Sequence, residues 1–239
     1  MSRLFRIAID GPAASGKSTT AKLLAKKLGF GYIDSGAMYR AVTLKCLDQG
    51  VPITDTQKVQ DIAHHAKIRF PSLGTVELDG KDVSTAIRTS RIVQNISPIA
   101  SNPGVRATLA NQQRSLAHAN DPAWSGFKHK NTEKIRGVVM DGRDIGTVIL
   151  PDAELKVFIV AEPHVRAQRR YDELKEKNSL AQGETVEAIA QDLEARDEAD
   201  RTRKVSPLKK AKDAIELDTS HKTIDEQVSA IEKLVYDRL

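Results

Sequence analysis

The sequence predicts an α/β chain built on a doubly wound parallel sheet, and three observations carry that prediction. A short apolar run breaks at a glycine-rich loop and resumes as a helix between Arg6 and Leu28. Further short apolar runs then alternate with helix-patterned stretches along the chain, the signature of strand–helix–strand units. One departure, at 67–83, has short runs divided by turn residues, which predicts a small antiparallel sheet inserted into the parallel core.

Ile7-Ala8-Ile9 reads as a buried strand. Gly11-Pro12-Ala13-Ala14-Ser15-Gly16-Lys17-Ser18 fits G-x-x-x-x-G-K-[ST] at every fixed position. The helix over Thr19–Leu28 puts Ala21, Leu24, Ala25 and Leu28 on one face. Strand, glycine loop and helix in that order form an anion site. Main-chain N–H groups point at a phosphate and the helix dipole adds to the attraction. Lys17 supplies a mobile positive charge for the terminal phosphates of a nucleoside triphosphate, and Ser18 a hydroxyl for Mg²⁺.

Gly29–Asp34 predicts a second strand, with Ser35 as the cap of a helix over 37–47 that Gly50-Val51-Pro52 ends. A helix over 58–67 carries Val59, Ile62, Ala63 and Ala66; His64 and His65 are adjacent there, point different ways and predict no metal site. Lys67–Phe70, Thr75–Leu78 and Lys81–Val83 form the inserted sheet, with Asp79-Gly80 as its hairpin turn. Helices follow over 89–99 and 103–118, the second with Leu109, Gln112 and Leu116 on one face. Asp121–Lys134 contains Pro122, Gly126 and a Lys/His/Asn run without period, and predicts an exposed loop. Within it Trp124 and Phe127 either pin the loop to its own surface or anchor a partner. Strands at 137–141, 155–160 and 214–218 alternate with helices at 163–177, 185–202 (capped by Thr185) and 224–239. Gly11, Asp34 and Asp141 all fall at strand carboxyl ends, where a doubly wound sheet holds its ligands.

Composition narrows the class. Of 239 residues 40% are hydrophobic and 29% charged, ordinary for a globular protein with a real core. Aromatics at 4% are too sparse for a single-strand stacking platform. A net charge of +5 suggests an anionic partner, met by nucleic acid or by two phosphorylated nucleotides held at once. Cys46 is the only cysteine, which excludes an intramolecular disulfide and suits a reducing cytoplasm. The first strand begins by about Arg6, leaving no room ahead of it for a signal peptide, and no apolar run is long enough to span a membrane.

Triphosphate binding alone does not separate a GTPase, a motor and a small-molecule kinase. The guanine-reading Asn-Lys-x-Asp is absent. Arginines stand instead beside strand ends, in Asp34-Ser35-Gly36-Ala37-Met38-Tyr39-Arg40 and in Asp141-Gly142-Arg143-Asp144. The stripe Val186, Ile189, Leu193 continues at helical spacing into Arg196, Asp197, Asp200 and Arg203, so a face that starts in the core ends in charge at a cleft. Arg166, Arg169 and Arg170 share one side of the preceding helix. A helical pair rich in arginine suits phosphoryl transfer, as a cover that excludes water and neutralises charge.

These blocks, with Ile87-Arg88-Thr89, Ile145-Gly146-Thr147, Arg196-Asp197-Glu198-Ala199-Asp200-Arg201-Thr202-Arg203 and Ser206-Pro207-Leu208, resemble the bacterial cytidylate kinases, within the nucleoside monophosphate kinase group, in order over nearly the full length. The resemblance implies a P-loop NTPase core with the loop at 11–19, a small α+β monophosphate-binding insertion at about 51–118 and a helical lid at about 163–204. It implies that Ser97, Arg106 and Asp144 read cytosine. The chemistry agrees, since a carboxylate accepts from the 4-amino group and a guanidinium donates to N3 and O2, a pattern uracil reverses. It places Arg196 and Asp200 at the sugar, Arg40, Arg143 and Arg203 on the monophosphate, and Ser35, Tyr39 and Arg88 in the same pocket. Arg166, Arg169 and Arg170 become lid residues over the ATP phosphates, held with Gly11 to Thr19; Lys17, Arg143, Arg196 and Arg203 become the catalytic set.

Two departures from the family pattern stand out. Asp121–Lys134 is an added polar stretch where relatives make a short turn. Ser18 stands where several relatives carry glycine or another small residue, which restores the Mg²⁺-ligating hydroxyl. The implied reaction is ATP + CMP (or dCMP) → ADP + CDP (or dCDP), by a cytoplasmic monomer that binds neither nucleic acid nor membrane. A kinase of the same group with another acceptor (UMP, AMP or an alcohol) and an ATP-gated, RNA-binding regulator are the competing readings.

Overall fold

The computed structural model describes residues 3–119, 121, 123–128 and 134–239. β1 (Arg3–Asp10) runs into the glycine loop and α1 (Lys17–Leu28) leaves it. Gly29 closes α1 with a φ of 63°, which a Cβ disfavours. β2 (Gly31–Asp34) leads into α2 (Ser35–Asp48). The cap of α2 is Asp34, one residue before the expected Ser35. Its carboxylate accepts from the Ala37 N–H at 2.8 Å, because the Ser35 hydroxyl is turned onto the Asp141 carbonyl.

α3 (Thr56–His65) precedes β3 (Ile68–Arg69), β4 (Glu77–Leu78) and β5 (Lys81–Asp82), which pair antiparallel as the sequence predicts. Asp79 and Gly80 both take positive φ, 51° and 82°, as the tight turn between β4 and β5 requires. α4 (Ser90–Ser101) and α5 (Pro103–His118) follow. On α5 Val105, Arg106, Leu109, Gln113 and Ala117 are buried, while Gln112 and Leu116, which share a face with Leu109 as expected, are partly covered and Leu116 packs against the core. Arg106 is thereby carried inward.

β6 (Ile135–Gly142) ends in a tight five-residue turn, Ile145–Ile149, that no sequence pattern announced. β7 (Leu155–Val160), α6 (Pro163–Glu176), α7 (Val186–Thr202), β8 (Ile215–Asp218) and α8 (Ile224–Tyr236) complete the chain. Thr185 caps α7 as predicted, and Thr223 with Glu226 forms a reciprocal capping box on α8.

The main sheet has the order β2-β6-β1-β7-β8, parallel throughout, so the chain winds first to one side of β1 and then to the other. β1 is central and, as such a strand must be, apolar on both faces. Ala8 joins the core under α2 to α5, while Phe5, Ile7 and Ile9 join the core under α1 and α8. A small third cluster, Ala13, Ala167, Ile189 and Leu193, seats α6 and α7 on the glycine loop.

In the 121–134 stretch, Pro122 and 129–133, most of the Lys/His/Asn run, lie outside the described residues. Trp124 covers Gly31, where a Cβ would come within 2.2 Å of the indole. Phe127 stacks on Phe30 at 5.8 Å and meets Tyr236 edge-on at 5.6 Å. Of the two expected roles, these aromatics perform the pinning.

Candidate functional site

The site occupies the carboxyl ends of β1, β2 and β6, where Asp10, Asp34 and Asp141 are all buried. The loop begins at Gly11, where a Cβ would lie 2.3 Å from the Ile159 carbonyl oxygen. Ala14 and Gly16 take positive φ, 54° and 87°, a curvature that turns successive N–H groups toward one point. Lys17 is buried and its ammonium donates to the Pro12 carbonyl at 2.9 Å. Burial, then the charges of Arg143 and Arg196, push its pKa far down. An ammonium this crowded by like charge is a site waiting for an anion. Ser15 is buried, Thr19 is exposed, and the neighbouring Thr20 turns inward to Gln227.

Ser18 donates to Asp141 at 2.6 Å, and the same carboxylate accepts from Tyr32 at 2.8 Å. Burial and the nearby Asp34 raise the Asp141 pKa. These hard oxygens suit Mg²⁺. Among the described residues no three His, Cys, Asp or Glu side chains converge on a metal position. Ser18 and Asp141 offer a divalent cation two hard oxygens at the end of β6.

Arg40, Arg88, Arg106, Arg143 and Arg203 are brought together here, and each aspartate between them holds two. Asp34 binds Arg40 at 2.7 Å and lies 3.6 Å from Arg88. Burial opposes ionisation of Asp34, but Arg40 and Arg88 outweigh it and hold the carboxyl below its ordinary range. Asp200 binds Arg143 at 2.8 Å and Arg203 at 3.1 Å. Asp144 binds Arg106 at 2.6 Å, with Arg203 at 3.8 Å. Tyr39 lies beneath Arg106, whose guanidinium carbon is 5.4 Å from the ring centre. Arg196 is solvent-exposed yet hemmed in by the cleft; loss of solvation, then Arg143, lower it to about 10.

Three placements differ from the sequence reading. Ser97 sits on the exposed side of α4, with no hydrogen bond to Arg106 or Asp144. Ser35 is occupied with the Asp141 carbonyl at 2.7 Å. The three lid arginines part company. Arg166 is buried against Asp197 and the Ala13 carbonyl, Arg169 bonds to Thr219, and Arg170 pairs with Glu173 on its own helix. A helical stripe gives the side a residue faces, but not which partner is already waiting there.

Sequence reading missed Asp141 as the partner of Ser18, although a hydrophobic strand ending in Asp beside a glycine loop was a usable signal. It placed Asp197 on the charged end of the α7 stripe but missed its partners: the carboxylate is wholly buried, binds Arg166 and accepts from the Ala13 N–H at 2.9 Å. That contact joins residues 184 apart, and nothing local announces it.

A phosphate loop at the end of a central parallel strand, a Ser–Asp oxygen pair beside it and arginines gathered over the same edge define a phosphate-loop kinase core. The particular family follows from comparison: the cytidylate kinase model matches residues 7–237, and the chain belongs to that family. The cytidylate kinase of Limosilactobacillus reuteri (strain DSM 20016) is 46% identical over 98% of this chain and 96% of its own length. That of Chloroherpeton thalassium is 48% identical over 97% and 93%. Among solved structures, a shikimate kinase from Acinetobacter baumannii spans 98% of this chain and 94% of its own at 16% identity and a TM-score of 0.43, too loose a likeness to bear on substrate.

Proposed function

We propose that this chain transfers the terminal phosphoryl group of ATP to CMP, and also to dCMP, giving ADP and the cytidine diphosphate by direct in-line displacement. Membership of the cytidylate kinase family supports the acceptor. The observation that supports the geometry is the pairing of β1 with β6, Ile9 beside Asp141, which sets the glycine loop next to the Asp141–Asp144 segment, with Ser18 bonded to Asp141 at 2.6 Å.

The attacking atom is an oxygen of the acceptor phosphate. Its second pKa is near 6, so it is mostly dianionic at neutral pH and needs no general base. Lys17 and the Gly11–Thr19 amides hold the donor phosphates. Arg40, Arg88, Arg143 and Arg203 hold the acceptor phosphate, with Tyr39 and Ser35 lining its pocket and Arg196 and Asp200 at the sugar. Arg106 and Asp144, with Ser97 brought in from α4, read the base. The residues at about 51–118 cover the acceptor, and those at about 163–204 form a lid in which Arg169 and Arg170 turn to the donor phosphates while Arg166 stays anchored to Asp197. Ser18 and Asp141 hold Mg²⁺, which when bound neutralises phosphate charge. The protein's share of catalysis is alignment and charge neutralisation in a site closed to water. One chain supplies both nucleotide sites, so a monomer suffices, and the net charge of +5 is accounted for by bound phosphates rather than nucleic acid. Among the described residues no helix is long and apolar enough to cross a membrane.

An acceptor panel at fixed ATP and Mg²⁺ tests the reading. CMP and dCMP are expected to release ADP with the highest kcat/KM. A higher kcat/KM for UMP or AMP overturns the base assignment, and ADP release with no nucleotide acceptor overturns the enzyme.

A further inference from the structure

We propose that Asp10 is a positioning residue for recognition of the acceptor base, holding the turn at Asp144 so that the Asp144 carboxylate is free to face Arg106 and the ligand. This rests on the proposed function above, in which Asp144 reads the base.

An aspartate that opens a helical turn ordinarily folds its side chain back onto the turn's own N–H groups, which have no other partner. Asp144 stands at that position before Ile145–Ile149, and its main-chain carbonyl accepts from Val148 and Ile149. Its side chain does not cap; it is turned away onto Arg106. The N–H groups left over are satisfied from a different strand. Asp10, at the end of β1, accepts from Ile145 at 2.8 Å on one oxygen and from Gly146 at 2.7 Å on the other. The carboxylate is 4% exposed. The residue just ahead of the donor loop thus does the capping that Asp144 forgoes. Without Asp10, the nearest carboxylate able to satisfy those amides is Asp144, and capping them draws it off Arg106.

The arrangement is sensitive to protonation. Burial pushes Asp10 up to about 7 against the two N–H bonds, with Asp144 repelling its charge and Lys17 attracting it. From β7, the Lys156 alkyl chain packs where a Gly146 Cβ would also meet Asp10, while the Lys156 ammonium is held by Asp213 and the Pro151 carbonyl. Asp10 is ionised above that value and gains a proton below it. A neutral carboxyl carries a donor hydrogen on one oxygen, so one of the two bonds is lost as pH falls.

The test is the ratio of kcat/KM for CMP over UMP, measured from about pH 8 to about pH 6. Both acceptors share the phosphate titration, and neither base titrates in that range, so these cancel. In the wild-type protein the ratio is expected to fall several-fold toward low pH. Asp10→Asn can accept only one of the two N–H groups, and its ratio is expected about tenfold below wild type at the upper end and flat with pH. The loss should lie in KM for CMP, with KM for ATP within about twofold. A wild-type ratio that does not change with pH overturns the proposal, even where the variant fails to fold. An Asp10→Asn protein that keeps the wild-type ratio, or that loses ATP affinity as much as CMP affinity, overturns it too. If the wild-type enzyme does not turn over CMP at all, the proposed function has failed, and that outcome is distinct from CMP turnover with a constant ratio.

Discussion

The Arg106 guanidinium reaches the Asp144 carboxylate across 2.6 Å, and both side chains are almost fully buried. Arg106 also donates to the Ala100 carbonyl at 3.1 Å, while its Nε lacks a partner. A buried N–H left unpaired is costly, and a base offering acceptors relieves that cost. Cytosine complements the pair, with acceptors for the guanidinium and an amino group for the carboxylate. Asp144→Ala should lower kcat/KM for CMP about 100-fold while leaving UMP nearly unchanged. The same variant strands a buried guanidinium and should lose about 3 kcal/mol of stability. An acceptor panel run beside urea unfolding reads both; undiminished preference for CMP in a folded variant removes Asp144 from base recognition.

Among the described residues Lys17 bonds no carboxylate; its ammonium donates to the Pro12 carbonyl. Its charge is tolerated, not used, until phosphate arrives. Lys17→Ala should cost about 10³ in kcat. Because the ammonium is crowded by Arg143 and Arg196, its removal should leave the melting temperature unchanged or slightly raised. Near-normal turnover contradicts its assignment to the donor phosphates.

The contrast between Lys17 and Arg166 shows how far the sequence could be read. The glycine loop is a contiguous motif whose backbone does the binding, so spacing alone exposes it. The alternation of strands and helices, and the Asp79-Gly80 hairpin, are likewise local. Two buried carboxylates that organise the site are not. Asp197 meets Ala13 and Arg166, and Asp10 meets Ile145 and Gly146, across separations that no periodicity encodes. Helical spacing put Arg166, Arg169 and Arg170 on one side correctly, yet each ends on a different partner.

Arg166 and Arg170 should therefore differ sharply in what their truncation costs. Arg166→Ala leaves Asp197 wholly buried without its cation and should cost about 3–5 kcal/mol. Arg170 pairs with Glu173 at a partly exposed position, and Arg170→Ala should change stability by less than about 0.5 kcal/mol. Denaturant midpoints decide it; equal losses contradict the separation of anchor from lid surface.

Acid sensitivity should centre in part on Arg6, which clasps the segment leading into β7. Glu154 accepts from the Arg6 main-chain N–H at 2.7 Å and from its guanidinium at 2.9 Å. Burial raises the Glu154 pKa, but the Arg6 bonds outweigh it and leave the carboxyl below its ordinary 4.5. A depressed carboxyl contributes stability that is present above the unfolded value and is lost as pH falls through the folded one. Glu154→Gln should lose about 1–2 kcal/mol at neutral pH and converge on wild type below that range. Parallel melting curves at neutral and acid pH check this, and a constant difference argues against the ion pair.

Trp124 lies in the 121–134 stretch, and its indole lies over Gly31, where β2 begins. The indole thus fills a space that a side chain on β2 would otherwise occupy. Trp124→Ala should lose about 3 kcal/mol by opening that space, with kcat/KM for CMP unchanged because the strand's far end holds the site. Gly31→Ala should be at least as harmful, since its Cβ would approach the ring to 2.2 Å. In the double variant the clash has no ring to meet, so the combined loss should be well short of the sum of the two. Additive losses mean the indole is not packed on Gly31, and loss of activity in Trp124→Ala means that the 121–134 stretch serves the reaction and not only the fold.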